Sequence, residues 1–387
     1  MTAAPQDKSR SKARRILIYT HALAGGGAER ALSLLASDLV DRGHEVIFAT
    51  DYHSGENDIF LDAAVRRPVL HRNHAVTTWR LSRLIVREKP DITLSGLGAS
   101  NLKHAVAALL AGRAHRAIIS YHGFFDGEPK LLSRLSFMLT PVLTRLVARS
   151  IAVSLALRKA LIGTWWASAA RTRYIQNPVY FGPGFQTPTE ADLRKRANIV
   201  LACGRLAPTK NFMLLLRAFA LVKPRDARLV IIGEGAERPA LEAEIRRLGL
   251  TGRVDMPGYV KEPWSYYETA RCMAVSSLTE SFGMALVEAM AHGLPVVSTD
   301  CGGPREVLDN GRFGPLVGLD DEVGLASAIT SALANPGDPM PRVRRAATYS
   351  RDAAADAYEA LFDEVVMGDG RVAPKTLAWS GVASPRT

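Results

Sequence analysis

Two carboxylates eight positions apart, Glu280 and Glu288 in the stretch ESFGMALVE, are the pair in this chain whose type and spacing most directly suggest chemistry. Phe282, Gly283 and Met284 lie between them, and after Gly293 a β-branched run reads as a buried strand. A helix over roughly 283–292, capped by Ser281 or Thr279, puts Glu280 just outside its N-terminus and Glu288 more than a turn inside. That separation argues against a close acid/base dyad. Free N–H groups at the helix start attract an anion, whereas carboxylates accept hydrogen bonds from hydroxyls. An anion flanked on both sides by hydroxyl-bearing rings describes a sugar nucleotide. The structural alternative makes Glu288 a solvated helix residue and Glu280 a helix-start carboxylate favoured by the dipole.

Other candidates lie at predicted strand ends. Gly25 and Gly26, with Gly27, stand between the first strand and first helix, where glycine lets backbone approach a ligand. The run GGGAER lacks the GxGxxG spacing of a dinucleotide fingerprint, and the same glycines also suit a plain tight turn. Arg205 and Lys210 sit on the loop GRLAPTKN, which ends at a helix start, so two cations converge on a position suited to a diphosphate. The spacing is not that of a P-loop. His122 follows a predicted strand and precedes Gly123, placing an imidazole within reach of a sugar hydroxyl. No Asp-x-Asp pair stands on a strand-end loop, so no required metal is expected. Nothing marks a Ser/His/Asp or Cys/His nucleophile.

The elements that must position these residues follow from length and pattern. A chain of 387 residues has room for about two domains, and 47% hydrophobic content fits a globular protein. Cys203, Cys272 and Cys301 are far apart and odd in number, which predicts reduced thiols rather than disulfides or zinc. The basic N-terminus is followed by too short an apolar run for a signal peptide. No stretch approaches the ~20 apolar residues of a spanning helix, so a cytoplasmic protein is expected. Residues 1–180 hold 25 Lys+Arg against 13 Asp+Glu (+12), and residues 181–387 hold 24 against 25 (−1), so the net charge of +11 belongs to the first half. Such asymmetry calls for an anionic partner there, nucleic acid or an acidic membrane surface.

Strands near 15–20, 46–49, 92–94, 117–120 and 151–154 alternate with helical periodicity, and a second such series starts at Ile199. Pro178, Pro183 and Pro188, with Gly182 and Gly184, mark the linker between them. The expected fold class is α/β: two Rossmann-like doubly wound domains facing a central cleft, where such sheets bind ligands. The expected divisions are a loose basic tail over 1–14, an N-terminal domain over 15–180, a C-terminal domain over 181–350, a helix over 351–368 crossing back to the first domain, and a loose tail over 369–387.

GGAER, His122-Gly123, Val153-Ser154, Asn177-Pro178-Val179, GRLAPTKN, IIGEG, ESFGMALVEAMAHGLPVV and GGPREVL stand in the order seen in family-4 retaining glycosyltransferases of the GT-B fold, and the chain resembles that family over about residues 15–365. The resemblance implies that Glu288 holds the donor ribose and that Glu280 contacts the donor sugar. It implies that Arg205 and Lys210 neutralise the diphosphate with amides around Phe282, Gly283 and Met284. It further implies that Gly25 and Gly26 approach donor phosphate and acceptor, and that His122 lies beside the transferred sugar. It makes the first domain the acceptor side and the second the nucleotide-sugar side.

The expected partners are then a nucleotide-sugar, as co-substrate rather than cofactor, a glycan or lipid-linked acceptor, and the inner membrane surface, with no nucleic acid, for which no binding platform appears. Residues 130–149 read as one basic amphipathic helix, with Leu132, Leu135, Leu139, Val142 and Leu146 near one face, suited to an anionic bilayer or to the domain core. The expected activity is metal-independent, retaining transfer of a hexosyl or N-acetylhexosaminyl group, from a UDP-sugar by preference, to a surface-glycan precursor such as that of lipopolysaccharide. The alternatives are a GDP-mannose-dependent mannosyltransferase and a non-catalytic nucleotide-sugar or membrane-binding module.

Overall fold

A computed structural model describes residues 12–53, 55–125, 131–184 and 186–368. Two six-stranded sheets organise it, and every strand pair in both is parallel. The first contains β1 (Arg15–Thr20), β2 (Glu45–Thr50), β3 (Ile92–Gly96), β4 (Ala117–Tyr121), β5 (Arg149–Ala152) and β6 (Thr172–Tyr174), in the order β2-β1-β3-β4-β5-β6. The second contains β7 (Ile199–Cys203), β8 (Arg228–Ile232), β9 (Val254–Gly258), β10 (Cys272–Val275), β11 (Val296–Thr299) and β12 (Leu316–Val317), in the order β12-β11-β10-β7-β8-β9. Runs such as Ile16-Leu17-Ile18-Tyr19 and Val200-Leu201-Ala202 are buried on both faces, as parallel strands covered by helices must be.

The strand orders place the ligand crevices. The first sheet reverses direction between β1 and β3, and the second between β7 and β10. At such a switch point the loops leaving the two strands turn to opposite faces and open a crevice at the strands' carboxyl ends. The loop after β1 carries Gly25 and Gly26, the loop after β7 carries Arg205 and Lys210, and the loop after β10 carries Glu280.

The C-terminal helix Arg351–Met367 returns to the first sheet. Its Tyr358, Leu361, Phe362 and Val365 share one core with Ile16, Ile18, Leu32 and Phe48. Along its other flank Arg42 pairs with Asp356 and Glu359, and Arg149 pairs with Glu364. The tails assigned to 1–14 and 369–387 lie outside the described residues up to Ser11 and from Asp369 onward. Arg14, placed in the first tail by sequence, is instead buried and pairs with Asp363.

The single helix expected over 130–149 does not form. Lys130 lies outside the described residues. The rest makes two short helices, Leu131–Met138 and Thr140–Leu146, and Arg149 opens β5. Pro141 near the second helix's start is the cause, because a proline lacks the N–H that a continuous helix needs there. The expected apolar stripe is also split, with Leu139 and Leu146 packed against the core and Leu135 and Val142 exposed. Ser133, Ser136, Thr140 and Thr144 face inward, while Leu135, Met138 and Val142 are 40%, 64% and 60% exposed. Among the described residues no helix is long and apolar enough to cross a membrane.

Candidate active site

The glycine loop is shaped by close approach. The helix Gly27–Asp41 starts from Gly26, whose backbone is extended and which offers no capping side chain. A Cβ on Gly25 would overlap the Glu56 carboxylate, and one on Gly26 would overlap that of Glu29. Glu56 accepts the Gly25 N–H, so an internal carboxylate occupies an anion-binding amide. Across the cleft, a Cβ on Gly27 would lie 3.5 Å from Met284 Sδ. Two helix N-termini, one from each domain, therefore face each other.

The helix Met284–Ala291 forms where expected, but its cap differs. Neither Ser281 nor Thr279 caps it; Gly283, at φ +95°, turns the chain into the helix with no side-chain cap. Only glycine adopts that left-handed backbone without strain. The N–H groups of its first turn are left without a side-chain acceptor. Ser281 instead donates its hydroxyl across the cleft to the carbonyl of His122. The Phe282 ring is buried against Tyr349, with centroids 5.4 Å apart, so only its backbone faces the cleft side of the loop. Gly303 N–H donates to Glu280 O at 2.7 Å and Glu280 N–H to Cys301 O at 3.1 Å, stitching the loop to the segment after β11.

Lys210 and Glu280 meet in an ion pair. Burial pushes the Lys210 ammonium down, but the Glu280 carboxylate beside it more than compensates and holds its pKa above the ordinary value. The backbone around Lys210 is fixed by Ser276 Oγ, which donates to Lys210 O at 2.9 Å. Arg205, on the same loop, is exposed. Glu288 is almost wholly buried; Tyr267 donates its phenol hydrogen to Oε2 at 2.8 Å, and Arg30 Nη2 lies 2.9 Å from Oε1. Burial raises the Glu288 pKa, and Arg30 and Tyr267 oppose the rise. Glu280 and Glu288 thus have separate partners and do not act on each other as a dyad.

His122 is a neutral imidazole. Burial drives its pKa down to about 4, and its contact with the Asn177 side chain opposes the drop. Ser120 spends its one hydroxyl hydrogen on Ser95 O at 2.8 Å, so at 2.8 Å from His122 Nε2 it accepts, which fixes the hydrogen on Nε2. Nδ1 is buried beside the Asn177 side chain without a well-aligned hydrogen bond to it.

The contacts of Gly27 with Met284, of Ser281 with the His122 carbonyl and of Arg30 with Glu288 bring the loops and helices that carry the sequence-predicted residues together, with Arg205 exposed on the loop of Lys210 and the Phe282 ring turned away. Sequence reasoning did not single out Arg30, Glu56 or Tyr267, and it named Ser281 only as a helix cap. Arg30 stood inside the quoted GGAER run, but nothing local shows that a helix residue reaches the other domain. Among the described residues no group of three or more His, Cys, Asp and Glu is placed to hold a metal ion. The three cysteines are free thiols.

Residues 25–180 match the family described as Glycosyltransferase Family 4, and residues 197–335 the family described as Glycosyl transferases group 1. A Campylobacter jejuni enzyme named as an α-1,4-N-acetyl-D-galactosaminyltransferase acting on an undecaprenol-diphosphate-linked glycan is 27% identical over 330 residues, covering 80% of this chain and 86% of that protein. The lipopolysaccharide core biosynthesis glycosyltransferase LpsD of Rhizobium meliloti is 26% identical over 363 residues, covering 90% of this chain and 98% of its own. The crystal structure of Anabaena HepE with UDP and glucose superposes with a TM-score of 0.73 at 21% identity, covering 92% of this chain and 96% of HepE.

Proposed function

The chain belongs to the family-4 glycosyltransferases and has their GT-B fold, and from that premise we propose that it moves a hexosyl or N-acetylhexosaminyl group from a nucleotide-sugar to a lipid-linked or surface-polysaccharide precursor, with retention and without a required metal. The observation that carries this reading is the meeting of Lys210 and Glu280 at the switch point of the second sheet, opposite the glycine loop at the switch point of the first. Donor cleavage leaves an oxocarbenium-like carbon and a diphosphate whose charge grows as the bond breaks. Lys210, Arg205 and the uncapped amides of helix Met284–Ala291 supply positive charge where that diphosphate would lie. Lys210 must leave Glu280 to meet it, which frees the Glu280 carboxylate to accept from a sugar hydroxyl. In a front-face transfer the bond from the anomeric carbon to diphosphate breaks, the bond to the acceptor oxygen forms on the same face, and the acceptor proton passes to the departing diphosphate. Neutral His122 at the cleft edge is not suited to donate a proton as an imidazolium would, and its expected part is to lie beside the transferred sugar. A UDP-sugar is favoured because HepE was solved with UDP.

The first domain supports a lipidic acceptor. Residues 129–189 contain eight Lys and Arg and no Asp or Glu. Leu135, Met138, Val142 and the 71%-exposed Trp166 lie in this stretch beside Arg134 and Arg145, and Pro141, Val142, Arg145, Leu146 and Trp166 line one open groove. Exposed apolar side chains ringed by cations, with small hydroxyl residues turned inward, suit the boundary of an anionic bilayer.

The test is turnover and binding in one series. Thermal stabilisation by UDP, GDP and ADP identifies the base, and stabilisation by GDP alone would favour the mannosyltransferase reading. Glu280→Gln is expected to keep nucleotide binding and lose donor hydrolysis and transfer by about 100-fold or more. Unchanged turnover would remove Glu280 from the site, and binding without turnover in the parent enzyme would favour a non-catalytic module.

A further inference from the structure

Two buried groups from opposite domains meet in the cleft and leave one another unsatisfied. Arg30 lies in the first turn of helix Gly27–Asp41, and its Nη2 is 2.9 Å from Glu288 Oε1, with side-chain exposures of 16% and 2%. The pair is close but misaligned. Arg30 Nε and Nη2 and Glu288 Oε1 are all buried without a hydrogen bond, although Tyr267 satisfies the other Glu288 oxygen. The guanidinium is held in place by aromatic faces, 4.9 Å from the Phe60 centroid and 5.4 Å from that of Trp264. A buried polar group left unpaired is costly, so this geometry is poised for a third group.

Chemistry restricts what that group is. It must accept from a guanidinium and donate to a carboxylate. A phosphate satisfies Arg30 but meets Glu288 as a like charge, and an ammonium has the opposite defect. A hydroxyl does both, and an oxygen about 2.9 Å from each closes a triangle on the observed pair. We infer that Arg30 is a donor-binding residue, which reads a ribose hydroxyl of the nucleotide jointly with Glu288. The inference rests on the nucleotide-sugar reading and adds to it that the ribose is grasped from both domains. One hydroxyl then ties helix Gly27–Asp41 to helix Met284–Ala291, so a nucleotide lacking it loses contacts on both sides of the cleft.

The experiment is a cycle between protein and ligand. UDP, GDP and ADP are titrated calorimetrically into the full-length protein, and the one that binds is compared with its 2′-deoxy and 3′-deoxy forms. In the parent protein, deleting one of the two hydroxyls is expected to weaken binding about 10- to 100-fold. Arg30→Met is expected to weaken the parent nucleotide similarly and to bind parent and deoxy forms within about threefold of one another. Arg30→Lys keeps the charge and serves if the apolar variant unfolds; its discrimination should fall between the two. If Arg30→Met or Arg30→Lys discriminates the deoxy forms as well as the parent protein does, Arg30 does not touch the ribose and the inference fails alone. If no nucleotide binds the parent protein, the donor-site reading fails and takes this inference with it.

Discussion

At the scale of residues, the cleft is self-occupied. Lys210 holds Glu280, Arg30 faces Glu288, and Glu56 accepts the Gly25 amide. On the proposed reading the donor displaces Glu280 from Lys210 and Glu56 from the Gly25 amide, so binding at these two places is an exchange of partners rather than the filling of a void. Two neutral histidines add a pH dependence of stability. His104, fully buried between Ser95 Oγ at 2.9 Å and Thr93 Oγ1 at 2.7 Å, has its pKa driven down to about 3, and His122 to about 4, in both cases by burial. Both fall below the unfolded value of 6.5, so the unfolded chain takes up protons first as pH falls. Stability is therefore complete above about pH 6.5 and is lost as pH drops toward 4, by up to about 1.4 kcal/mol per pH unit for each histidine. Denaturant unfolding at pH 7 and pH 5 should show the loss, and His104→Gln should reduce its slope. An unchanged slope would mean that His104 is not a neutral buried group.

At the scale of elements, the long interior strands and the periodic helices were legible because buried parallel strands are unbroken apolar runs and their helices carry a period of 3.6. The edge strands β6 and β12 were not, since three and two residues are too few to show any pattern. Residues 130–149 misled because their leucines do recur at helical spacing, while Pro141 divides the helix and packing turns the serines inward. The C-terminal helix carries a stability prediction of its own. Phe362 is fully buried in the core that joins this helix to the first sheet, so Phe362→Ala should cost about 3–5 kcal/mol in denaturant unfolding. A loss under about 1 kcal/mol would show that the helix is not anchored there.

At the scale of the whole molecule, charge is segregated, and the first domain carries the larger share of the exposed apolar side chains. The acid-free stretch 129–189 and the outward Leu135, Met138 and Val142 belong to the first domain, whereas the second is close to neutral. Replacing these three by serine should lower partition onto phosphatidylglycerol vesicles by about tenfold or more, since each loses apolar area that the bilayer would cover. The melting temperature should not fall, because none of the three supports the core. Raising salt should weaken the parent protein's partition as the cations are screened. Equal partition of parent and triple variant would show that this face is not the membrane contact.

The amino-acid sequence by itself determined the two α/β series, the linker between them and the loops on which the ten candidate residues stand, because these depend on local periodicity and on motifs contained in single loops. Residue type also decided that Glu280 and Glu288 are not a dyad, since helix geometry separates them wherever the helix is packed. Only the tertiary structure decided their partners. Lys210 is 70 positions from Glu280, and Arg30 is far from Glu288 on a different sheet's first helix. Lys210 and Glu280 meet because β7 and β10 are neighbours in the second sheet, whereas the meeting of Arg30 with Glu288 depends on how the two switch points are set face to face across a cleft. No periodicity encodes that placement, because it is the sum of all the packing between the domains.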